Sequence, residues 1–223
     1  MKTSLLALGL SLLSSVALWA DLVIVQQMDG AGQSGPMTLK IKGDKIRTDM
    51  TPQISTIFDA ATGVIQTIMH DQKMYMEINA EASQQLLKSM KTQAGAEETK
   101  SAPILVATGR KEKIGGYDTE LYTLTSGNYK SSYWIAKDYP NSSQLMEVFR
   151  KMQSSALSKA AQSMVPQPEG DLPGVPVKVE VEIGPNQKMT TTLISVEEKS
   201  LDDNEFVVPE GYKAMAMPSF GTP

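Results

Sequence analysis

An α+β fold, an antiparallel curved sheet whose concave face is covered by two amphipathic helices, is what this sequence predicts, and three observations predict it. Apolar and polar residues alternate on both sides of Gly43-Asp44 in Met37–Met50, the pattern of a half-buried hairpin. Short β-branched and aromatic runs recur between turn signals in two blocks, spanning 22–78 and 104–137. Two stretches carry apolar residues at helical spacing: Ala82, Leu86 and Met90, then Leu145, Phe149 and Met152.

Residues 1–20 read as a secretory signal peptide. Lys2 supplies the positive start, Leu5–Leu13 the apolar run, and Ala17 or Ala20 the small residue before cleavage, with Ala20 the favoured site. The run is shorter than the roughly 20 residues that span a bilayer, and Ser11, Ser14 and Ser15 interrupt it. The chain has no cysteine, which excludes a lipoprotein anchor and disulfide staples. A soluble protein exported to a bacterial periplasm is the expectation. Without Lys2, 20 basic residues face 25 acidic ones, a net charge of −5. That balance carries no electrostatic footprint for nucleic acid or for anionic lipid headgroups.

The first strand is predicted at Leu22–Met28. Gly30-Ala-Gly32-Gln-Ser-Gly35 matches the dinucleotide fingerprint, but Pro36 and an alternating strand follow it where a helix is required, so it reads as a turn. If Gly43 and Asp44 form a two-residue loop, Ile41 faces Ile46, Leu39 faces Thr48 and Met37 faces Met50. Thr38, Lys40, Lys42, Lys45, Arg47 and Asp49 then take the other face. Further strands are predicted at Ile54–Phe58, Val64–Met69 and Met74–Ile78, the last with Met74, Met76 and Ile78 on one face, which completes a meander of about six strands. Asn79 caps a short helix carrying Ala82, Leu86 and Met90.

Residues 93–101 form a polar loop. The second block supplies strands at Ile104–Lys113, Tyr117–Thr125 and Tyr129–Lys137, separated by Gly115-Gly116 and Gly127-Asn128. Pro140-Asn141 opens a longer helix with the stripe Leu145, Phe149, Met152, Ala156, Ala160 and Met164, and Gln144 stands at the spacing of a capping-box variant. After the Pro/Gly cluster 166–176, Val177, Val179, Val181 and Ile183 alternate with charged residues and the chain returns through Met189–Val196. Phe206–Tyr212 is read as a closing edge element, where Pro209 is tolerated.

Five segments carry a family resemblance: KIKGDKIRTDM (Lys40–Met50), QKMYMEI (Gln72–Ile78), GRKEKIGGYDTELYTL (Gly109–Leu124), WIAKD (Trp134–Asp138) and FVVPEGYKAM (Phe206–Met215). In this order they resemble a bacterial exported family known as domain of unknown function 4412, over nearly the whole mature chain. That family is similar to the LolA/LolB-like lipoprotein carriers. The resemblance implies an unclosed half-barrel with helices as a lid over an apolar cavity, here a single domain at 21–217 followed by a flexible tail at 218–223. No basic residue of the carriers finds a definite counterpart in this chain. Thr119 stands where several relatives have a cysteine, which removes any redox or crosslinking role at that position.

Three functional readings follow. In the first, Met37, Leu39, Ile41, Ile46, Met50, Met74, Met76 and Ile78 form a face for a lipid, an acyl chain or a lipidated envelope protein, with Leu86, Met90, Leu145, Phe149 and Met152 as lid residues. In the second, the same methionines fill a core and the protein is a structural or interaction module of the envelope. In the third, Met69, His70, Met74 and Met76, with Met215 and Met217 at the alternate-methionine spacing, bind Cu(I). Strand parity disfavours that set, because Met74 and Met76 point to the core side while the lone histidine lies in a turn. Neither a metal nor a cofactor is expected. Enzyme chemistry is not expected either: HExxH, GxSxG and a cysteine nucleophile are missing, and the acidic pairs Glu97-Glu98, Glu197-Glu198 and Asp202-Asp203 lie in polar segments.

Overall fold

The computed structural model describes residues 21–30, 32–79, 81–82, 103–126, 129–154, 168, 172–184 and 187–215. Twelve strands form one sheet: β1 (Leu22–Gly30), β2 (Gln33–Lys42), β3 (Lys45–Thr51), β4 (Ile54–Asp59), β5 (Val64–Met69), β6 (Met74–Ile78), β7 (Leu105–Ile114), β8 (Tyr117–Ser126), β9 (Tyr129–Ala136), β10 (Val175–Gly184), β11 (Gln187–Glu198) and β12 (Lys213–Ala214). One helix, α1, runs from Ser142 to Ser154, and a 3-10 turn from Asp203 to Phe206. The spatial order is β12-β6-β5-β4-β3-β2-β1-β11-β10-β9-β8-β7. Two meanders, β1–β6 and β7–β11, are thus fused edge to edge through the antiparallel β1/β11 pair, with Leu22 opposite Glu198 and Gly30 opposite Met189.

This architecture corrects the expected two-helix α+β fold. The chain forms one large open sheet with a parallel pairing at its β6/β12 edge, and α1 is the one α-helix fully placed among the described residues. The fusion is non-local: β1 and β11 come from opposite ends of the described chain, so no local pattern announces their pairing. Of the other expected helix, only Glu81 and Ala82 are described, where Asn79 Oδ1 accepts the Ala82 amide at 2.8 Å. Leu86 and Met90 lie outside the described residues.

Hairpin chemistry explains the strand joints. Gly43 opens the β2/β3 loop with φ at 57°, as the first position of a type II′ turn requires. Gly30 ends β1 at φ 120°, and a Cβ there would sit 2.0 Å from the Lys188 carbonyl oxygen, so only glycine permits the approach of β11. Pro36 is tolerated inside β2 because the β2/β3 ladder starts only at Thr38, leaving no neighbour on that side for the missing N–H.

The main core covers the inner face of the sheet. It joins Leu22, Ile24, Leu39, Ile41, Ile46, Phe58 and Ile65 to Trp134, Val175, Val177 and Leu193, and α1 inserts Leu145 and Val148 into it. A smaller cluster of Tyr122, Leu124, Tyr133 and Ile135 occupies the opposite, outer face, since Tyr122 pairs with Tyr133 while the adjacent Leu121 pairs with Trp134 on the inner side. The strict alternation expected from Val177 to Val181 is broken. Pro176 cannot donate to the ladder, the register shifts between Pro176 and Lys178, and Val177 joins the main core while Val179 packs on the smaller cluster.

The C-terminal segment crosses the outer face. Leu201 N donates to Asp21 Oδ2 at 2.9 Å, Asp202 caps the 3-10 turn by accepting from Asn204 N, and Leu201 and Phe206 are buried. Phe206–Tyr212 does not form the expected edge strand. Phe206 closes the 3-10 turn, and the edge is made instead by Lys213 and Ala214 opposite Met74 and Tyr75.

Candidate functional site

Register places most of the expected ligand face on the inner side of the sheet. Ile41 opposes Ile46 and Leu39 opposes Thr48; Ile46 then opposes Phe58, Phe58 opposes Ile65, and Ile65 opposes Ile78. Thr67 faces Met76 and Met69 faces Met74, which carries the same face to the sheet margin. Met50 does not join them. The β2/β3 ladder ends at Thr38 and Asp49, Met37 pairs instead with Gln26 of β1, and a bulge between Asp49 and Thr51 leaves Met50 36% exposed.

Burial divides the remaining seven. Leu39, Ile41 and Ile46 are buried members of the main core, whereas Met37, Met74, Met76 and Ile78 are half-buried, with exposed Ile54 opposite Met69 on the same face. The lid residues divide too: Leu145 is fully buried, Phe149 packs against the core, and the Met152 side chain lies outside what the structure describes. Val148 and Met146, which the helical stripe missed, also pack there. Asn141 precedes α1 at φ 52° and its amide donates to Glu198 Oε1 at 3.2 Å, fastening the helix start to β11.

The polar side of the hairpin holds an assembly that sequence reasoning missed. Asp49 Oδ1 accepts from Arg47 Nε at 2.7 Å and from Ser55 Oγ at 2.6 Å. Ser55 Oγ also lies 3.2 Å from Arg47 Nη2 and 2.8 Å from His70 Nε2. Since the Ser55 proton goes to Asp49, His70 Nε2 is the donor to Ser55, and a neutral ring then accepts at Nδ1 from the Tyr212 hydroxyl, 3.1 Å away. Arg47 Nη1 donates to the Glu205 carbonyl at 2.9 Å, Lys40 pairs with Glu205, and Lys42 reaches Asp203 at 2.8 Å and the Leu201 carbonyl at 2.6 Å. His70 is therefore a half-buried tether for the C-terminal segment, not an exposed turn residue.

A nucleophile triad uses these residue types, but in a different order. Ser55 stands between the carboxylate and the imidazole, its hydroxyl is saturated, and it is only 2% exposed. Burial pushes the Asp49 carboxyl up, but the hydrogen bonds from Ser55 and Arg47 and the charges of Arg47 and Lys40 outweigh it and hold the group below the ordinary carboxylate range. The alternating basic and acidic residues on the polar side of the hairpin were the available signal.

On the inner face of the second meander, Trp134 Nε1 donates to Glu112 Oε2 at 3.1 Å and Lys178 Nζ stands 4.4 Å from the indole centroid. Two cavities lie away from Met37, Met74 and Met76. One, of about 120 Å³, is lined by Leu22, Tyr117, Tyr139, Leu145, Val196 and Glu198 among others; the second, an open groove of about 470 Å³, runs between the first turns of α1 and Lys137, Leu172 and Gly174. Burial, and then the neighbouring Tyr117, pushes the Tyr139 phenol up to about 12. Among the described residues no helix is long and apolar enough to cross a membrane, and no cluster of three or more His, Cys, Asp or Glu side chains could hold a metal ion.

No curated protein matches the chain. Among solved structures it is similar to PNGF-II, with a TM-score of 0.41 and 12% identity over 89% of this chain, and it spans 31% of that chain's length. It is also similar to a DUF1329 family protein from Desulfovibrio piger ATCC 29098, with a TM-score of 0.32 and 10% identity over 84% of this chain and 90% of that one. Both likenesses are too distant to carry an argument about fold or function. The family model described as Domain of unknown function (DUF4412) matches residues 22–212, and the chain belongs to that family.

Proposed function

We propose that the chain is a non-catalytic periplasmic binding protein that holds an apolar ligand, an acyl chain or the lipid of a lipidated partner, against the margin of its inner face. One observation carries this reading: four apolar side chains, Met37, Met74, Met76 and Ile78, share that face by register and stay half-buried, Met37 and Ile78 against the edge of the main core, while their neighbours Leu39, Ile41 and Ile46 are buried in it. Unbranched thioether side chains adapt to ligands of varied shape, which suits a face that takes flexible chains. The leader pattern at 1–20 supports export, and the similarity of the chain's family to lipoprotein carriers supports the ligand class.

Displacement of a fluorescent fatty-acid probe tests the reading. Met76→Glu places a charge on the half-buried margin and abolishes saturable binding with the fold kept, whereas Ile41→Glu buries a charge in the core and unfolds the protein. Absence of saturable binding by the parent chain sinks the proposal. A second reading, an envelope interaction module with a filled core, is favoured by the continuity of the main cluster from Leu22 and Ile65 to Trp134 and Leu145. It predicts that Met76→Glu changes neither probe behaviour nor fold.

A further inference from the structure

The last strand brings a fourth methionine to the sheet margin. Lys213 N donates to the Lys73 carbonyl at 3.0 Å and Met215 N to the Tyr75 carbonyl at 2.8 Å, the bonding pattern of a parallel ladder with Lys213 opposite Met74. The same register sets Met215 abreast of Met76 on the inner face. Met69 is directly opposite Met74 across the β5/β6 hairpin, and Met74 and Met76 are two residues apart on β6. Three neighbouring strands, spaced about 4.8 Å apart, therefore present four thioethers in one patch. All four side chains are half-buried, accessible yet shielded on one side.

We propose that Met69, Met74, Met76 and Met215 form a soft, all-thioether site for Cu(I). Sulfur donors select a monovalent, polarisable cation over Zn²⁺, Mg²⁺ or Ca²⁺, which prefer imidazole, thiolate or oxygen ligands. Three rotatable bonds in each side chain let the sulfurs converge without moving the backbone. The site differs from the set that the sequence brings together. His70 leaves it, because it lies across the sheet with both ring nitrogens engaged by Ser55 and Tyr212; Met215 stays, and Met217 lies outside the described residues. Lys213, beside Met74, is exposed and holds its charge in water. Thioethers carry no proton to lose, so binding is independent of pH between about 5 and 8, unlike a histidine or cysteine site.

The test is anaerobic titration of the purified chain with Cu(I) in competition with bicinchoninate, paired with Ag(I) titration followed by NMR of methionine ε-methyl groups. One equivalent of Cu(I) is expected to resist competition equally at pH 5 and pH 8, and Ag(I) should shift the ε-methyl signals of these four methionines. Met→Leu substitutions keep volume and apolarity, so the fold is retained. The Met69→Leu, Met215→Leu double variant should weaken Cu(I) retention at least about tenfold, a change of about 1.4 kcal/mol. It leaves Met74 and Met76 in place, so its probe binding separates failure of the copper site from failure of the apolar-ligand reading. No Cu(I) retention, retention unchanged in the double variant, or Ag(I) shifts confined to other methionines would overturn the proposal.

Discussion

Asp49→Asn isolates the electrostatic heart of the outer face. The carboxylate accepts from Arg47 Nε and Ser55 Oγ at 2.7 and 2.6 Å, with Lys40 Nζ at 3.5 Å, so the substitution keeps shape but turns charge-assisted bonds into neutral ones. A hydrogen bond to a charged group contributes roughly 1.5–3 kcal/mol, and because both donors reach one oxygen that an amide can still present to them, only the charge-assisted part of the two bonds goes, a loss of that size in total. With a urea m-value of about 2 kcal/mol/M, the midpoint should fall by about 1 M at pH 7. The sign with pH follows from the lowered folded-state pKa. The contribution is complete above the ordinary carboxylate value of about 3.9 and is lost as pH falls through the lower, folded-state value. Urea unfolding of both proteins from pH 7 to pH 2 should therefore show a gap that is constant down to about pH 5 and closes in acid. Coincident midpoints at pH 7, or a gap that persists undiminished in strong acid, would refute the role given to Asp49.

Gly30→Ala should destabilise the fold by about 1–3 kcal/mol from backbone strain alone, with the Lys188 carbonyl clash in addition; an unchanged melting temperature would contradict the β1/β11 approach. Ultraviolet titration of tyrosine should show one phenol ionising near 12 that disappears in Tyr139→Phe. Because that pKa is raised on folding, the stabilisation is complete below pH 10 and is lost as pH rises from 10 to 12, and a titration identical in the variant would remove Tyr139 from its buried site. Phe206→Ala should cost about 3–5 kcal/mol and speed amide exchange at Met215, whose N–H bond to Tyr75 depends on the docked segment.

What the sequence revealed were the features that depend on near neighbours. The Gly43-Asp44 loop, the pairs Ile41 with Ile46 and Leu39 with Thr48, and the limits of β6 at Met74–Ile78 all follow from period-two alternation and turn chemistry. Distant partners stayed hidden. The β1/β11 junction joins strands from opposite ends of the chain, so two β blocks read as separate while they form one sheet. Parity also failed at two bulges: at Asp49/Thr51 Met50 drops out of the ladder and is exposed, and at Pro176/Lys178 Val177 is divided from Val179. Among the candidate ligand residues, the face was legible from alternation, but burial was not. Leu39 and Ile41 look no different from Met37 in the pattern, yet the first two are buried members of the main core while Met37 packs against it half-buried. The Ser55–His70–Tyr212 chain was illegible because it depends on the C-terminal segment folding back across β2 and β3, which charges at Lys40, Lys42 and Arg47 only hint at.

Native mass spectrometry of the gently purified chain tests the central claim most directly. The predicted result is a discrete non-covalent adduct with the mass of a lipid or acyl chain, present in the parent protein and missing from a folded Met76→Glu variant. A parent protein that appears only at its own mass and takes up no added fatty acid would contradict the binding role.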